Sequence, residues 1–165
     1  MKNNILFLFC ICSFMACTTP FQSFGEFSRN QLENSNHNGW FVENYNAHTL
    51  NETLVSRIDS LFSDIEVTIY MGTWCEDSQR EVPGFFKIID VLEANDQVQR
   101  IVGLNEDKIS HDGSAEKAGI TNVPTFVFSK GGKEINRIVE FPIISLEQDI
   151  LDILQEKGYK HAYDY

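Results

Sequence analysis

The feature that most constrains this chain is the stretch at residues 72–83, which reads Gly-Thr-Trp-Cys-Glu-Asp-Ser-Gln-Arg-Glu-Val-Pro. It follows a short apolar, β-branched run, Ile65 to Tyr70, which predicts a buried strand. After it, apolar residues recur at the spacing of one helical face: Phe85, Ile88, Ile89 and Leu92. Cys75 is therefore expected where a strand ends and a helix begins.

This position favours a reactive thiol. The first N–H groups of a helix have no partner within the helix, and the helix dipole places partial positive charge at the same end. Both effects stabilise a thiolate, the form of cysteine that attacks disulfides. Glu76 and Asp77 follow Cys75 directly, and their negative charges oppose its ionisation. The other interpretation of Cys75 is a buried, inert thiol.

The amino terminus has the pattern of an export signal. Lys2 precedes a mostly apolar run, Ile5 to Ala16, which is short for a membrane span. The run ends in Phe-Met-Ala-Cys, which resembles a bacterial lipoprotein processing site. We therefore expect residues 1–16 to be a lipoprotein signal peptide and Cys17 to carry the lipid. Export without lipid, or a retained anchor, are the alternatives.

Cysteine usage then isolates one thiol. Of the four cysteines, Cys10 and Cys12 lie within the predicted signal and Cys17 would be blocked by lipid. Cys75 remains as the one free thiol of the mature chain, so no internal disulfide framework is expected.

Charge and composition exclude other classes of function. The net charge is −11, which disfavours binding to phosphate backbones, so no nucleic-acid partner is expected. The four histidines are dispersed and show no zinc-ligand spacing, so neither a metal nor a cofactor is expected. Glu76-Asp77-Ser78 lacks the Gly-Phe-Ser pattern of monothiol glutaredoxins, which argues against an iron–sulfur site.

The remaining patterns predict four regions: the signal at 1–16, a tether and N-terminal cover at 17–46, a folded domain at 47–158 and a tail at 159–165. Within the domain we expect alternating helices and strands and a final hairpin at Gly131-Gly132. This order predicts an α/β fold with a mixed sheet of four or five strands and helices on both faces. Strands separated by helices should be parallel, and the last two antiparallel.

Four motifs in this order resemble the thioredoxin family over roughly residues 47–158. Trp74-Cys75 with Ser78 matches the Trp-Cys-x-x-Cys/Ser site, and Pro83 matches the proline of the active-site helix. Gly119 to Thr125 matches the segment that carries the family's cis-proline, and Gly132 matches the hairpin glycine. Gly-Thr-Trp-Cys-x-Asp-Ser resembles a subgroup of exported bacterial members.

The resemblance implies a thioredoxin-like fold and a substrate site around the cysteine. Pro124 would be cis, and the backbone of Val123 would pair with an extended substrate. Trp74 would form an apolar wall, with Thr125 following the proline. Cys75 would be the nucleophile.

Two departures from the family alter the expected chemistry. Ser78 stands where dithiol members have the resolving cysteine, so no intramolecular disulfide can form. Ser78 is then either a hydrogen-bond donor to the thiolate or a first-turn helix residue. Ile69 occupies the position of the buried carboxylate that serves the resolving step.

Two functions remain. One is a monothiol thiol–disulfide exchange protein of the cell envelope, in which Cys75 forms mixed disulfides that are resolved in trans. Its partners would be envelope proteins bearing disulfides or thiols, a membrane reductase that recycles Cys75, and the membrane itself through lipid on Cys17. The other is a redox-inactive module that binds peptides in the cis-proline groove.

Overall fold

The structure is a computed structural model that describes residues 24–34 and 38–164. The predicted signal, Cys17 and the first part of the tether lie outside these ranges. The strands are β1 (Gly25–Phe27), β2 (Ile65–Met71), β3 (Val98–Gly103), β4 (Thr125–Lys130) and β5 (Lys133–Val139). The helices are α1 (Arg29–Asn34), α2 (Asn38–Ala47), α3 (Glu52–Phe62), α4 (Glu76–Val91), α5 (Ser114–Lys117) and α6 (Leu146–Leu154), with a 3-10 turn at Asn95–Gln97. Within the described ranges, no helix is long and apolar enough to cross a membrane.

The strands form one five-stranded mixed sheet in the order β1-β3-β2-β4-β5. β2 and β3 are parallel, whereas β4 is antiparallel to both β2 and β5, and β1 is antiparallel to β3. Together with helices on both faces, this sheet confirms the predicted α/β, thioredoxin-like fold class.

One predicted strand direction is wrong. We expected strands separated by helices to be parallel, but β4 runs antiparallel to β2. Gly103 at the end of β3 pairs with Met71, and Thr125 at the start of β4 pairs with Tyr70, so both lie at the same end of the sheet. The four-residue helix α5 spans about 6 Å, whereas six strand residues span about 20 Å. Helix α5 therefore does not carry the chain back along the sheet, and β4 begins at the end of the sheet where β3 finished.

The sheet begins nearer the amino terminus than the predicted domain boundary at residue 47. Gly25–Phe27 pairs with residues 101–103 and forms an edge strand, and the Phe27 side chain is buried. Leu32 of α1 is also fully buried. The described part of the predicted tether therefore contributes both the fifth strand and part of the core.

Asp90 in the last turns of α4 holds this N-terminal region in place. The Arg29 guanidinium donates to both Asp90 carboxylate oxygens at 2.5 and 2.6 Å, and the Tyr45 hydroxyl donates to Asp90 at 2.7 Å. Burial raises the pKa of Asp90, but the hydrogen bonds from Arg29 and Tyr45 outweigh it and the pKa is lowered. The Phe41 ring of α2 also packs on Phe86, with centroids 6.1 Å apart.

The two faces of the sheet carry separate apolar clusters. The large core contains the inward residues of β2, such as Ile69, together with buried residues from helices α1 to α4 and α6. The small core lies on the other face and has these members: Tyr70, Val102, Leu104, Ala115, Ile120, Val123 and Val127. Cys75 packs against the small core. Because side chains alternate along a strand, Ile69 and Tyr70 serve different cores.

Candidate functional site

Cys75 occupies the turn between β2 and α4. It is the N-cap residue of α4, with φ −90° and ψ 124°, and its own side chain makes no capping hydrogen bond. The Cys75 N–H donates to the Gly72 carbonyl at 3.0 Å, and the Gln79 N–H donates to the Cys75 carbonyl at 3.0 Å. The thiol is free and half-buried. A thiolate at this position would itself supply the acceptor that a capping side chain normally gives.

The Trp74 indole lies next to the cysteine, where its contacts hold it in place and one part of the ring remains exposed. It lies over Gly72 so closely that a Cβ at Gly72 would be 2.5 Å from Trp74 Cε2, which accounts for the glycine. Trp74 Nε1 donates to the Leu104 carbonyl at 2.9 Å, and the Lys108 ammonium lies 5.5 Å from the ring centroid. The Trp74 side chain is nevertheless 40% exposed. The indole is therefore positioned to contact a bound molecule.

Ser78 makes a structural contact. Its side chain is fully buried, and its hydroxyl accepts a hydrogen bond from the Gly72 N–H at 3.2 Å. In the described ranges, no hydrogen bond joins Ser78 to the Cys75 sulfur. Of the two roles left open by the sequence, the observed contact matches a first-turn residue that joins the strand end to the helix.

The cis-proline segment lies against the thiol. The Val123–Pro124 peptide bond is cis, and the Cys75 thiol donates to the Val123 carbonyl with an S···O distance of 3.2 Å. The Val123 N–H has no hydrogen-bond partner among the residues described here. Thr125 is buried, and its hydroxyl donates to the Asn122 carbonyl at 2.8 Å. The structure thus brings Cys75, Val123 and Pro124 together. Thr125 is not part of this contact, and its hydrogen bond to Asn122 stabilises the turn that contains Pro124.

The charged residues of the first turns of α4 pair with one another. Arg80 contacts Asp77 at 2.6 Å and Glu81 at 2.7 Å. Asp77 therefore pairs with Arg80. Burial raises the pKa of Glu81, and its contact with Arg80 only partly offsets this effect. Glu76 is exposed beside Cys75.

Three contributors to the site were missed in the sequence. Lys108 reaches Trp74 from the loop after β3, the Gln79 amide donates to the Thr73 carbonyl at 2.8 Å, and the Glu140 N–H donates to the Pro124 carbonyl at 2.7 Å. Lys108 and Glu140 lie far from the cysteine motif in sequence. No periodic pattern marks such loop contacts, so only the folded chain reveals them.

Two cavities in the described ranges lie away from the thiol. One, of 540 Å³, lies beside β1 and β3 and is lined in part by Arg29 and Arg100. The other, of 550 Å³, lies between α3 and the end of α4. Cys75 lines neither cavity.

No family model matches the chain, and no curated protein matches its sequence. Among solved structures, a Pseudomonas aeruginosa protein of unknown function overlays with a TM-score of 0.61 and 13% identity, covering 81% of this chain and 93% of that one. That overlay shows a shared fold and nothing more.

Two further structures overlay with a TM-score of 0.35, too low to establish a common fold. One concerns the thiol resolving mechanism in yeast mitochondrial 1-Cys peroxiredoxin, at 30% identity over 56% of this chain and 78% of that one. The other is oxidized mitochondrial thioredoxin 3 from Saccharomyces cerevisiae, at 29% identity over 58% and 86%.

Proposed function

We propose that this chain is a monothiol, thioredoxin-like thiol–disulfide exchange protein, exported and held at the cell envelope by lipid on Cys17. The observation that carries the proposal is the placement of Cys75. It is the N-cap residue of α4, and its sulfur lies 3.2 Å from the carbonyl oxygen of Val123, which precedes the cis-proline. This arrangement places the sulfur at the positive end of the α4 dipole, next to a backbone able to hold an extended substrate.

The first step forms a mixed disulfide. The Cys75 thiol loses its proton to solvent, and the thiolate attacks one sulfur of a substrate disulfide. A bond forms between Cys75 Sγ and that sulfur while the substrate's own S–S bond breaks. The second substrate sulfur leaves as a thiolate and takes the electron pair of the broken bond.

Because Ser78 carries a hydroxyl and not a thiol, a thiol of the substrate or of a partner protein must resolve this intermediate. If another thiolate of the substrate attacks the substrate sulfur, a new substrate disulfide forms and Cys75 leaves as a thiolate, with no net oxidation. If a partner dithiol attacks the Cys75 sulfur, the substrate leaves reduced. The partner's second thiol then frees Cys75, and the partner is left with a disulfide.

The backbone of Val123 supports this sequence of steps. When Cys75 ionises, it can no longer donate to the Val123 carbonyl, so that carbonyl becomes free to accept from a substrate N–H. The Val123 N–H is a second polar group available at the same edge. Together they offer the donor and acceptor that an added strand requires.

The direct test compares Cys75 with alanine in the full-length chain. Replacement of Cys10, Cys12 and Cys17 by serine makes Cys75 the only thiol. We refer to this protein as the Cys75-only chain. We expect it to exchange with a model disulfide, and we expect Cys75→Ala in the same background to reduce the rate to that of buffer. An unchanged rate in the alanine variant would exclude the proposal.

The second function is a redox-inactive peptide-binding module. It is favoured by Ile69, which is buried in the large core in place of a carboxylate, and by Ser78 in place of a second cysteine. It predicts that peptide capture survives Cys75→Ser. Loss of capture in that variant would count against the module and in favour of exchange.

A further inference from the structure

The loop between β5 and α6 presents an unusual run of exposed apolar side chains. Its residues 141–144 read Phe-Pro-Ile-Ile. Phe141 is 42% exposed, Ile143 52% and Ile144 72%, the last being the most exposed large apolar side chain described. We call residues 141–144 the apolar loop. Single exposed apolar residues are common on surfaces, but a contiguous group marks a contact site.

A buried carboxylate fixes the backbone of the apolar loop. Asp149 of α6 is only 1% exposed, and it accepts hydrogen bonds from the Ile143 N–H at 2.5 Å and the Ile144 N–H at 3.1 Å. The Tyr159 hydroxyl donates to the same carboxylate at 2.8 Å. Burial and the hydrogen bond to Asp149 raise the pKa of Tyr159, so this donor stays protonated. The two isoleucines are therefore held outward by a rigid support.

The strand register places the apolar loop beside the thiol site. Thr125 pairs with Val139, and the next residue, Glu140, donates its N–H to the Pro124 carbonyl at 2.7 Å. The apolar loop therefore begins one residue beyond the contact with the cis-proline. The Val123 carbonyl, on the other side of that proline, lies 3.2 Å from Cys75 Sγ.

The charges around this surface are mainly negative. Glu140 stands at φ 68° at the entrance of the apolar loop, and its carboxylate accepts from the Tyr163 hydroxyl. Glu76 is exposed beside the cysteine. Arg80 is engaged by two carboxylates, and Lys108 lies against the Trp74 ring on the β3 side of the site.

We propose that the apolar loop is the specificity surface of the thiol site, and that it binds an extended protein segment with a bulky aliphatic residue and basic residues near its disulfide. This inference rests on the proposed function. The acidic surroundings and the net charge of −11 repel both anionic lipid headgroups and a second copy of the chain. A basic, apolar segment matches both the exposed isoleucines and the charge around them.

A binding experiment tests the surface without relying on exchange chemistry. The probe is the fluorescent peptide Gly-Lys-Leu-Ser-Leu-Lys-Gly, with one control in which serine replaces leucine and another in which glutamate replaces lysine. Anisotropy is measured with the full-length chain carrying Cys75→Ala. We expect the leucine peptide to bind about tenfold more tightly than the serine peptide, because an aliphatic side chain is buried.

Matched variants test whether the apolar loop is responsible for the preference for the leucine peptide. The double change Ile143→Ser/Ile144→Ser should abolish it, whereas Val91→Ser, at a 57% exposed valine near the far end of α4, should leave it intact. A preference that persists in the double variant would overturn the proposal. Equal binding of the glutamate and lysine peptides would also overturn it. The same holds if the chain binds no peptide but uses the loop to bind phosphatidylglycerol vesicles or to self-associate.

A kinetic experiment separates this inference from the proposed function. The same peptides with cysteine at the central position, joined by a disulfide to 5-thio-2-nitrobenzoate, react with the Cys75-only chain, and the released aryl thiolate is measured by absorbance. Equal rates for leucine and serine peptides would refute the surface while leaving exchange in place. No reaction with any disulfide, alongside selective binding of the leucine peptide, would refute exchange and leave the surface.

Discussion

The two faces of the sheet differ in how heavily they are covered. The large core is overlaid by five helices and contains most of the fully buried aromatic residues, including Phe85, whose ring lies 4.8 Å from that of Phe126. The small core is covered by the four-residue helix α5 and by the connections around it. Cys75 and Val123, which form the site, both belong to the thinly covered face.

This difference in coverage indicates that the two faces have different roles. The large core fixes the strands, and the strands fix the positions of the two turns that carry Cys75 and Pro124. The small core has fewer buried side chains, so local opening there is expected to cost less free energy than opening of the large core. Substitutions on the two faces should therefore affect stability and thiol reactivity differently.

The largest effect is expected from Phe85→Ala in the large core. Phe85 is fully buried and packs with Phe86, Phe126 and Phe128. Its removal should lower the free energy of unfolding by about 3–5 kcal/mol, because apolar contacts are lost and a cavity remains. Urea unfolding followed by circular dichroism measures the change. A loss below about 1 kcal/mol would show that the large core does not dominate stability.

A matched pair of substitutions in the Cys75-only chain compares the two faces directly. Ile89→Val in the large core and Ile120→Val in the small core remove the same methylene, and each should cost about 0.5–1.5 kcal/mol. Only Ile120→Val should change the reaction rate of Cys75 with iodoacetamide, by about twofold or more, because the thiol packs on the small core. Equal effects of both variants on that rate would remove the distinction between the faces.

A buried carboxylate on the heavily covered face should show a defined pH dependence. His48 Nε2 lies 3.1 Å from Glu147 Oε1, and the Asn51 N–H donates to the same oxygen at 3.3 Å. Burial raises the pKa of Glu147, but these hydrogen bonds outweigh it and lower the pKa from 4.5 to about 2. Because the unfolded chain takes up the proton first, the stabilisation is complete above pH 4.5 and is lost as the pH falls toward 2.

Glu147→Gln measures this contribution. At neutral pH we expect the wild-type chain to be more stable by about 1–2 kcal/mol, allowing for solvent screening. The difference should shrink as the pH is lowered through the same window. If the difference in unfolding free energy between the two proteins does not change with pH, Glu147 contributes through packing and not through its charge.

The smallest effect is expected at the rim of the thin face. Lys108→Met removes the ammonium from the Trp74 ring, a contact worth about 0.5–1 kcal/mol at an exposed site. We expect a change in tryptophan emission with little change in the unfolding midpoint, and Trp74→Phe should abolish the emission change. A large loss of stability would show that Lys108 supports the fold rather than the indole.

Local patterns predicted the part of the site that is built from neighbouring residues. The turn from β2 to α4 follows from the apolar strand pattern before Cys75 and the helical pattern after it, and the sequence Ser-Leu-Glu-Gln at residues 145–148 is typical of a helix start. Ser145 indeed caps α6 by accepting from the Gln148 N–H at 3.2 Å. The cis bond at Pro124 was implied by the resemblance and is present.

Features set by tertiary contacts were not predicted. β1 has only three residues, too few for an alternating pattern, and β4 is antiparallel to β2 because the short helix α5 does not carry the chain back along the sheet. In α3, the helical spacing of Leu50, Leu54, Ile58 and Leu61 predicts that Leu61 faces the core, but Leu61 is 37% exposed, whereas Val55, Ile58 and Phe62 are buried. Local spacing allowed either face, and packing against α6 selected one. The apolar loop was visible as Phe-Pro-Ile-Ile, yet its support by Asp149 required the folded chain.

The central claim is that the fold presents Cys75 as a reactive thiol, and one rate comparison tests it most directly. The Cys75-only chain is mixed with 5,5′-dithiobis(2-nitrobenzoate) in the folded state and in urea, and the rate of aryl thiolate release is measured across pH. Our account predicts that the folded chain reacts at neutral pH at least as fast as the unfolded chain. A thiol that reacts only after unfolding would contradict it.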